Sequence, residues 1–321
     1  MKKLLTLILL LITTTAFAFT PPKIVNVIIG YPPGGSGNEV SFRAAMAIVQ
    51  KNNPNVNFVV TNKPGADEVI AFNDFIKTPP DGSTLFVPSF ALYTISEIYY
   101  PNQIQGAPMD LELVTTIAKS PLCVVANINS PTNTPKELLD RLKNTKTPVN
   151  IGLGSTSHKL VYEYLMAKSN GNRNQVQSIL FKSPIEAATD VAGNHIEFAI
   201  MPSVMAYPLV KAGKIKYIAL TGEHKLAAIP EVPLWKDNGI PNLNLYGYWM
   251  LALPPGTPKE IVKYYQDLFV PALENKEIQE VYERNLMITL PSEHSPEGAR
   301  KSIEHIRETW MPVARKIHAK E

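Results

Sequence analysis

Short runs rich in valine and isoleucine alternate with longer amphipathic runs along most of this 321-residue chain. The pattern starts with IVNVIIG at 24–30, which predicts a strand, and EVSFRAAMAIVQK at 39–51, which predicts a helix. Such alternation is typical of βαβ units and of mostly parallel sheets. We therefore predict an α/β fold whose functional loops follow the carboxyl ends of strands.

The remaining elements are predicted from the same periodicities. Further strands are predicted at 57–62, 83–89, 111–127 (one or two strands), 149–154, 176–181, 196–201, 215–221 and 246–254. Further helices are predicted at 68–78, 135–145, 158–169, 185–193, 205–213, 258–275 and 295–317. Thr134 and Pro135 are expected to be the N-cap and the first residue of the helix at 135–145.

The first eighteen residues have the form of a secretory signal peptide, with a basic start, an apolar run and an A-x-A end. We expect cleavage after Ala18. No cysteine follows that could carry a lipid anchor at the new N-terminus, and no later run offers about 18 unbroken apolar residues for a membrane span. The mature protein is expected to be soluble and exported, which in a bacterium with two membranes means the periplasm.

Composition narrows the class of protein further. The net charge is +3, of which Lys2 and Lys3 supply two, and no basic run with interleaved aromatics suggests nucleic acid binding. Cys123 is the sole cysteine, so no internal disulfide can form, and its apolar surroundings predict a small buried side chain. Histidines and carboxylates lack metal-ligand spacing, so no metal and no cofactor is expected.

The sequence YPPGGSGN at 31–38 joins the first predicted strand to the first predicted helix. Its glycines permit a backbone to approach a ligand closely, and Ser36 with Glu39 fits a capping box at the helix start. Free N–H groups of that first turn would face an anion placed there. The segment is thus either a capped strand–helix turn or an anion cradle.

Three later segments raise similar alternatives. GLGSTSH at 152–158 is a second candidate cradle, in which His158 either donates to a ligand carboxylate or packs against its own loop. In TNKPGADE at 61–68, Asp67 and Glu68 are expected to favour the dipole of the following helix, with ligand contact as the alternative. In LFKSPIEA at 180–187, Lys182 either attracts an acid or is simply solvated.

The motifs YPPGGSGNEVSFRAAMA, NKPGADEVIAF, PPDGSTLFV, GSTSHKLVYEYL and FKSPIEAATDVAGNHIEFAI occur here in one order and spacing. Over nearly all the mature chain this resembles the tripartite tricarboxylate transporter substrate-binding proteins, also called Bug receptors. The resemblance implies a two-lobed periplasmic binding protein of the type-II-like, Venus-flytrap kind, with a ligand cleft between α/β lobes. Lobe 1 would hold 19–121 plus 247–321, and lobe 2 would hold 122–246.

By the same resemblance, the chain captures a small organic carboxylate and delivers it to membrane permease subunits, as a monomer and without catalysis. The binding residues carried over by position are Pro33, Gly34, Gly35, Ser36, Gly37, Asn38, Ala66, Asp67, Ser155, Thr156, Ser157, His158, Phe181, Lys182 and Met201. Two alternatives are a receptor that reports a ligand to a membrane signalling protein and an exported hydrolase using Ser155 or Ser157 with His158. The hydrolase lacks a G-x-S-x-G elbow and a third partner.

The chain departs from the family pattern at several positions. Asn38 and Met201 stand where the family usually has Asp, Asp67-Glu68 replaces Gly-Gly, and Phe181 replaces Tyr. Because these changes remove polar groups that could bind a ligand ammonium, we expect the receptor not to take an amino-dicarboxylate in the usual way. A ligand with one carboxylate and a flatter, more apolar body is the hypothesis.

Overall fold

The computed structural model describes residues 19–319. The predicted signal peptide and its cleavage site after Ala18 lie outside the described residues. In the part that is described, the strands are β1 Ile24–Ile29, β2 Asn57–Asn62, β3 Thr84–Phe86, β4 Glu112–Asn127, β5 Val149–Leu153, β6 Val176–Leu180, β7 Phe198–Pro202, β8 Ile215–Leu220 and β9 Tyr246–Leu253.

The helices alternate with these strands. They are α1 Gly37–Asn52, α2 Val69–Phe75, α3 Phe90–Thr94, α4 Ser96–Tyr99, α5 Pro135–Asn144, α6 Lys159–Ser169, α7 Pro184–Ala192, α8 Ser203–Lys211, α9 Lys259–Leu273, α10 Lys276–Arg284 and α11 Pro296–His318. Within residues 19–319, no helix is long and apolar enough to cross a membrane.

Every predicted strand and helix is confirmed, with boundary shifts of a few residues. The sequence analysis missed α3, α4 and α10. The first two have five and four residues, too few to show a helical period, and α10 buries only Ile278 and Tyr282. Thr134 is the N-cap of α5 and Pro135 its first residue, as predicted, and the structure adds a capping box in which the Glu137 amide donates to Thr134 Oγ1 at 3.2 Å and the Thr134 amide donates to Glu137.

The strands follow the order β2-β1-β3-β9-β4-β7-β5-β6, with β8 also paired to β4. The outer trios β2-β1-β3 and β6-β5-β7 are parallel, as predicted. The centre is not, because β9 runs antiparallel to β3 and β4, and β4 runs antiparallel to β7 and β8. The prediction of mostly parallel sheets is therefore correct for each trio and wrong for the strands that join them.

Strand β4 belongs to both halves of this arrangement. Its residues up to Pro121 pair with β9, and its residues from Leu122 onward pair with β7 and β8. Fifteen of its sixteen residues are buried, although the strand includes the polar residues Thr115, Thr116, Lys119 and Ser120. Helices cover both faces, so that alternate residues of β4 enter two separate hydrophobic cores.

Aromatic packing fastens the outer helices to the first trio. Phe42 of α1, Phe58 of β2 and Phe269 of α9 form a cluster with ring centroids 5.6–6.1 Å apart. Each such pair contributes about 0.5–1.5 kcal/mol beyond its buried area. Cys123 is 1% exposed in the same core, as predicted. This packing holds α1 against β2 and α9, and the N-terminus of α1 lies at the candidate site.

Candidate functional site

Three loops that follow parallel strands meet at the carboxyl edge of the two trios. We call them the first loop (30–36, after β1), the second loop (63–68, after β2) and the third loop (154–158, after β5). An inner cavity of about 20 Å³ lies between the first and third loops, and its lining includes Ser36, Asn38, Ser89, Ser155, Ser157 and Trp249. The cavity lies beyond the carboxyl ends of the strands, where the sequence analysis expected the functional loops.

The first loop turns tightly before α1. Gly34 has φ +67°, a conformation that glycine adopts without strain, and the Gly35 amide donates to the carbonyl of Pro32 at 2.9 Å. Pro33 and Gly34 are exposed at the outer side of this turn. The turn directs the next residue, Ser36, inward toward the cavity.

The predicted capping box is wrong. Glu39 accepts a hydrogen bond from the Gly34 amide at 2.8 Å and pairs with Arg43 at 2.6 Å, and Ser36 makes no side-chain cap bond. Ser36 Oγ is instead buried without a hydrogen-bond partner in the described part of the chain, and the residue is 2% exposed. A buried hydroxyl left unpaired costs about 1–3 kcal/mol, which a bound polar group would recover.

The start of α1 is fixed by contact with Trp249 of β9. A Cβ atom on Gly37 would lie 1.9 Å from Trp249 Cζ2, so only glycine fits there. The amides of the first helical turn have no partner within the helix, and Gly37 and Asn38 of that turn line the inner cavity. Gly37 therefore lets the N-terminus of α1 pack against Trp249 beside the cavity. The sequence analysis had expected the glycines of this segment to let the backbone approach a ligand.

The second loop has an unusual backbone. Ala66, Asp67 and Glu68 have φ of 46°, 48° and 74°, three successive left-handed residues without a glycine. Such residues cost roughly 1–2 kcal/mol each and persist only where surrounding contacts hold them. The expected role of Asp67 and Glu68 at the helix dipole is wrong, because neither side chain caps α2 and both point toward other loops.

Glu68 is fully buried beneath the first loop. It accepts hydrogen bonds from Asn38 Nδ2 at 2.7 Å, from the Ser89 amide at 3.0 Å and from Ser89 Oγ. Gly30 makes room for it, since a Cβ there would lie 2.6 Å from Glu68 Cγ. Burial without a cationic partner raises the pKa of Glu68 to about 8.

Asn38 and Glu68 therefore form one coupled unit. Asn38 Nδ2 donates both to Glu68 and to the carbonyl of Val87, at 2.7 Å in each case. The departure from aspartate at Asn38 is explained by this contact, because a second acid could not donate to either oxygen. The sequence analysis described the departures from the family pattern at Asn38 and Glu68 separately, because two residues 30 positions apart show no sign of contact in the sequence.

We expect Asn38→Asp to destabilise the protein by about 3 kcal/mol at pH 7, because it removes two buried hydrogen bonds and sets two acids together. Urea denaturation followed by circular dichroism measures this loss. The double variant Asn38→Asp with Glu68→Gln should recover part of it, since the new amide can donate to Asp. An unchanged urea midpoint in Asn38→Asp would show that the contact between Asn38 and Glu68 does not contribute to stability.

Asp67 reaches across to the third loop. Its Oδ2 accepts hydrogen bonds from the Thr156 amide at 2.8 Å and from Thr156 Oγ1, and Tyr31 Oη lies 3.5 Å from its Oδ1. Burial raises the pKa of Asp67 above its usual range, and these hydrogen bonds only partly oppose that rise. Burial, together with the charges of Asp67 and Glu68, raises the pKa of Tyr31 as well.

In the third loop the hydroxyls are turned toward one another. Ser155 Oγ lies 2.9 Å from Ser157 Oγ and accepts from the Ser157 amide at 3.2 Å. Both residues line the inner cavity opposite Ser36. A Cβ on Gly154 would lie 2.4 Å from Pro184 Cα, so this loop packs directly against the start of α7.

His158 has a structural position. Its Nδ1 accepts from the Gly154 amide at 3.2 Å, and its ring also bonds to the backbone of Ile200. Burial lowers the pKa of His158 to about 3, so the ring stays neutral near pH 7. With both nitrogens engaged by backbone groups, His158 has no free nitrogen to take a proton from Ser155 or Ser157, as a hydrolase would require.

An outer cavity of about 490 Å³ opens beyond Asp67 and Tyr31. Its lining includes Pro32, Pro64, Ala66, Tyr100, Leu180, Phe181 and Lys182. Phe181 is half-buried and Lys182 is exposed, so both are available at this opening. The walls are largely apolar, with one cation at the edge.

Of the fifteen predicted site residues, Met201 is the one placed apart. It is fully buried in the hydrophobic core, where β7 pairs with β4 and Cys123 Sγ donates to its carbonyl at 3.3 Å. The others lie on the three loops, on the first turn of α1 or at the outer cavity. The sequence missed Gly30, Tyr31, Ser89, Tyr100 and Trp249. Ser89 follows β3 and could have been found by the strand-end rule, whereas Trp249 lies inside a strand without a local signal.

A larger open cavity, about 730 Å³, lies at the opposite ends of β5 and β7. Its one arginine, Arg141, is already engaged by Glu197 at 2.8 Å and by Thr145 at 2.7 Å. It is therefore a less suitable anion site than the loop cluster. No group of three or more potential metal ligands occurs in residues 19–319.

The chain is similar to several known proteins in sequence and in fold. The Bordetella pertussis protein BugT is 24% identical over 332 aligned residues, covering 100% of this chain and 99% of BugT. A solved periplasmic transporter is 25% identical, with a TM-score of 0.85 over 92% of this chain and 97% of that one. A Rhodopseudomonas palustris protein solved with adipate is 19% identical and has the same fold, with a TM-score of 0.85 over 92% of this chain and 97% of its own.

These proteins share the fold of the two-lobed periplasmic binding proteins, as the sequence predicted. The model of the tripartite tricarboxylate transporter family receptor matches residues 43–298, which include the second and third loops and most of α1. The chain belongs to the tripartite tricarboxylate transporter receptor family, whose members are solute-binding proteins.

Proposed function

We propose that this protein is a periplasmic solute-binding protein that captures a small organic carboxylate and delivers it to the membrane subunits of a tripartite tricarboxylate-type transporter. No bond is made or broken in this role. The cleft needs only to hold an anion and to release it. The protein acts as a monomer, without a metal or a cofactor.

The observation that carries the proposal is the unpaired Ser36 Oγ at the inner cavity. It lies at the N-terminus of a 16-residue helix and faces the Ser155–Ser157 pair across about 20 Å³ of space. Hydroxyls and helix-end amides are the donors that a carboxylate prefers, and charge-assisted hydrogen bonds contribute about 1.5–3 kcal/mol each. The solved relative with adipate supports a carboxylate as the ligand class.

A carboxylate needs more room than the inner cavity offers, so binding requires the loops to separate. We propose lobe 1 at 19–121 plus 247–321 and lobe 2 at 122–246, because β4 exchanges its partners between Pro121 and Leu122. Hinge motion about the strands that join the lobes would open the first two loops away from the third.

The ligand can be sought directly. Protein purified from the periplasm, denatured and analysed by mass spectrometry should release one organic acid, and that acid should raise Tm when added back. Release of no small molecule, together with no stabilisation by any of a panel of acids, would count against a carboxylate receptor.

We expect Ser36→Ala to weaken binding of that acid by about 10–100-fold, the loss of one charge-assisted hydrogen bond. Since Ser36 makes no cap bond and its buried hydroxyl has no partner, the Tm without ligand should stay the same or rise. Isothermal titration calorimetry measures the affinity, with Ser292→Ala at an exposed serine as the matched control. Equal affinities in all three proteins would remove Ser36 from the site.

A further inference from the structure

The carboxylate of Asp67 occupies two donors of the third loop that could otherwise bind an acid group of a ligand. The Thr156 amide and hydroxyl face the gap between the second and third loops, and both donate to Asp67 Oδ2. These are the kinds of donor that hold carboxylates at helix starts. In this chain, Thr156 is therefore already bound to an acid, and that acid is covalently part of the protein.

The backbone around Asp67 has the unfavourable conformation that is common at ligand-binding sites. Ala66, Asp67 and Glu68 all have positive φ, and none is a glycine. Strained conformations of this kind persist where the surrounding structure holds them, and they concentrate at ligand clamps. This backbone places the Asp67 side chain, which is partly exposed at the outer cavity, between Tyr31 and Thr156.

The other acid of this loop does not share that role. Glu68 has its oxygens occupied by Asn38 and Ser89 within lobe 1. Asp67 alone spans to the third loop, and its partners there are neutral donors without a lysine or arginine. A ligand carboxylate at the same position would meet a like charge at close range and would find the Thr156 donors taken.

The hydrogen-bond donors that Asp67 leaves free suit a single anionic group of a ligand. Ser36 Oγ and the first-turn amides of α1 lie on the far side of the inner cavity, while the outer cavity beyond Asp67 is mostly apolar. We propose that Asp67 is a built-in carboxylate that occupies the second acid position of the cleft and so selects monocarboxylates over dicarboxylates. This inference rests on the proposed function and names its substrate class.

The test compares acids that differ by one carboxylate, hexanoate with adipate and benzoate with terephthalate. Three proteins are titrated by calorimetry: the wild type, Asp67→Gly and the control Asp237→Asn, which removes an exposed acid far from the loops. Asp67→Gly deletes the carboxylate and also relieves the positive φ. A fourth protein, Asp67→Asn, keeps the side-chain shape without the charge. It controls for a change in the conformation of the second loop in Asp67→Gly.

We expect the wild type and Asp237→Asn to bind the monoacid of at least one pair tenfold or more tightly than the diacid. In Asp67→Gly that ratio should fall at least tenfold because the diacid gains affinity, and Asp67→Asn should lie between. A wild type that binds diacids as well as monoacids, or a ratio unchanged in both variants, overturns the inference and leaves the receptor function intact. Absence of binding by every acid in every protein overturns the receptor function, and the inference with it.

Discussion

Replacing Glu68 by glutamine is expected to flatten the dependence of folding stability on pH between about 5 and 9. Glu68 is fully buried and has only neutral hydrogen-bond partners, so burial raises its pKa from 4.5 to about 8. An acid whose pKa is higher in the folded state is protonated more readily there. Its contribution is full below about pH 4.5 and is lost as the pH rises toward 8.

Across that window the wild type should lose roughly 4–5 kcal/mol of unfolding free energy from this residue, since each pKa unit corresponds to about 1.4 kcal/mol. Glutamine cannot ionise and can keep the contacts with Asn38 and Ser89. Glu68→Gln should therefore unfold at a similar urea concentration near pH 5 and at a clearly higher one above pH 8.

The measurement is a set of urea melts at half-unit steps of pH, with Glu260→Gln on the exposed side of α9 as the matched control. The control should follow the wild type at every pH. Asp67 also has a raised pKa, so Glu68→Gln should keep a smaller slope of the same sign. Parallel curves for Glu68→Gln and the wild type would mean that Glu68 is ionised in the folded protein at neutral pH.

The second large effect is expected at Gly37, where a single methyl group has no space. An alanine Cβ would lie 1.9 Å from Trp249 Cζ2 and 2.4 Å from Trp249 Cε2, and Trp249 is only 2% exposed. Because the ring is enclosed, α1 or β9 must move. Overpacking of this kind costs about 1–3 kcal/mol or more, and moving α1 also displaces Ser36 from the inner cavity.

Gly37→Ala should therefore lower Tm by several degrees and weaken ligand binding more strongly than Ser36→Ala does. Trp249→Phe removes the part of the indole that the methyl group would strike, so the double variant should regain stability relative to the sum of the single changes. Gly106→Ala is the control, because its nearest neighbour is the flexible end of Ile76 at 3.1 Å. Purely additive effects would show that the two residues do not compete for the same space.

Most of the fold follows from local patterns. The period-two and helical runs predicted every strand and most helices, and Pro, Gly and Thr134 marked their ends, because these signals act between residues near one another in the chain. The same patterns placed the loops of the candidate site at strand ends. They did not reveal the antiparallel centre of the sheet, because the pairing of β4 with β9 and β7 depends on residues far away in the chain.

The chemistry of the site depended on distance in space. The sequence indicated a cradle at 31–38 and another at 152–158, and its family motifs joined them in one cleft. Only the tertiary structure paired Glu68 with Asn38, set Asp67 on Thr156, turned His158 to its own backbone and left Ser36 Oγ unpaired. Hydrogen bonds and burial act over a few ångströms, and the contacts of Glu68 and Asp67 join residues 30 and 89 positions apart, so the fold determines which polar groups are satisfied and which remain for a ligand.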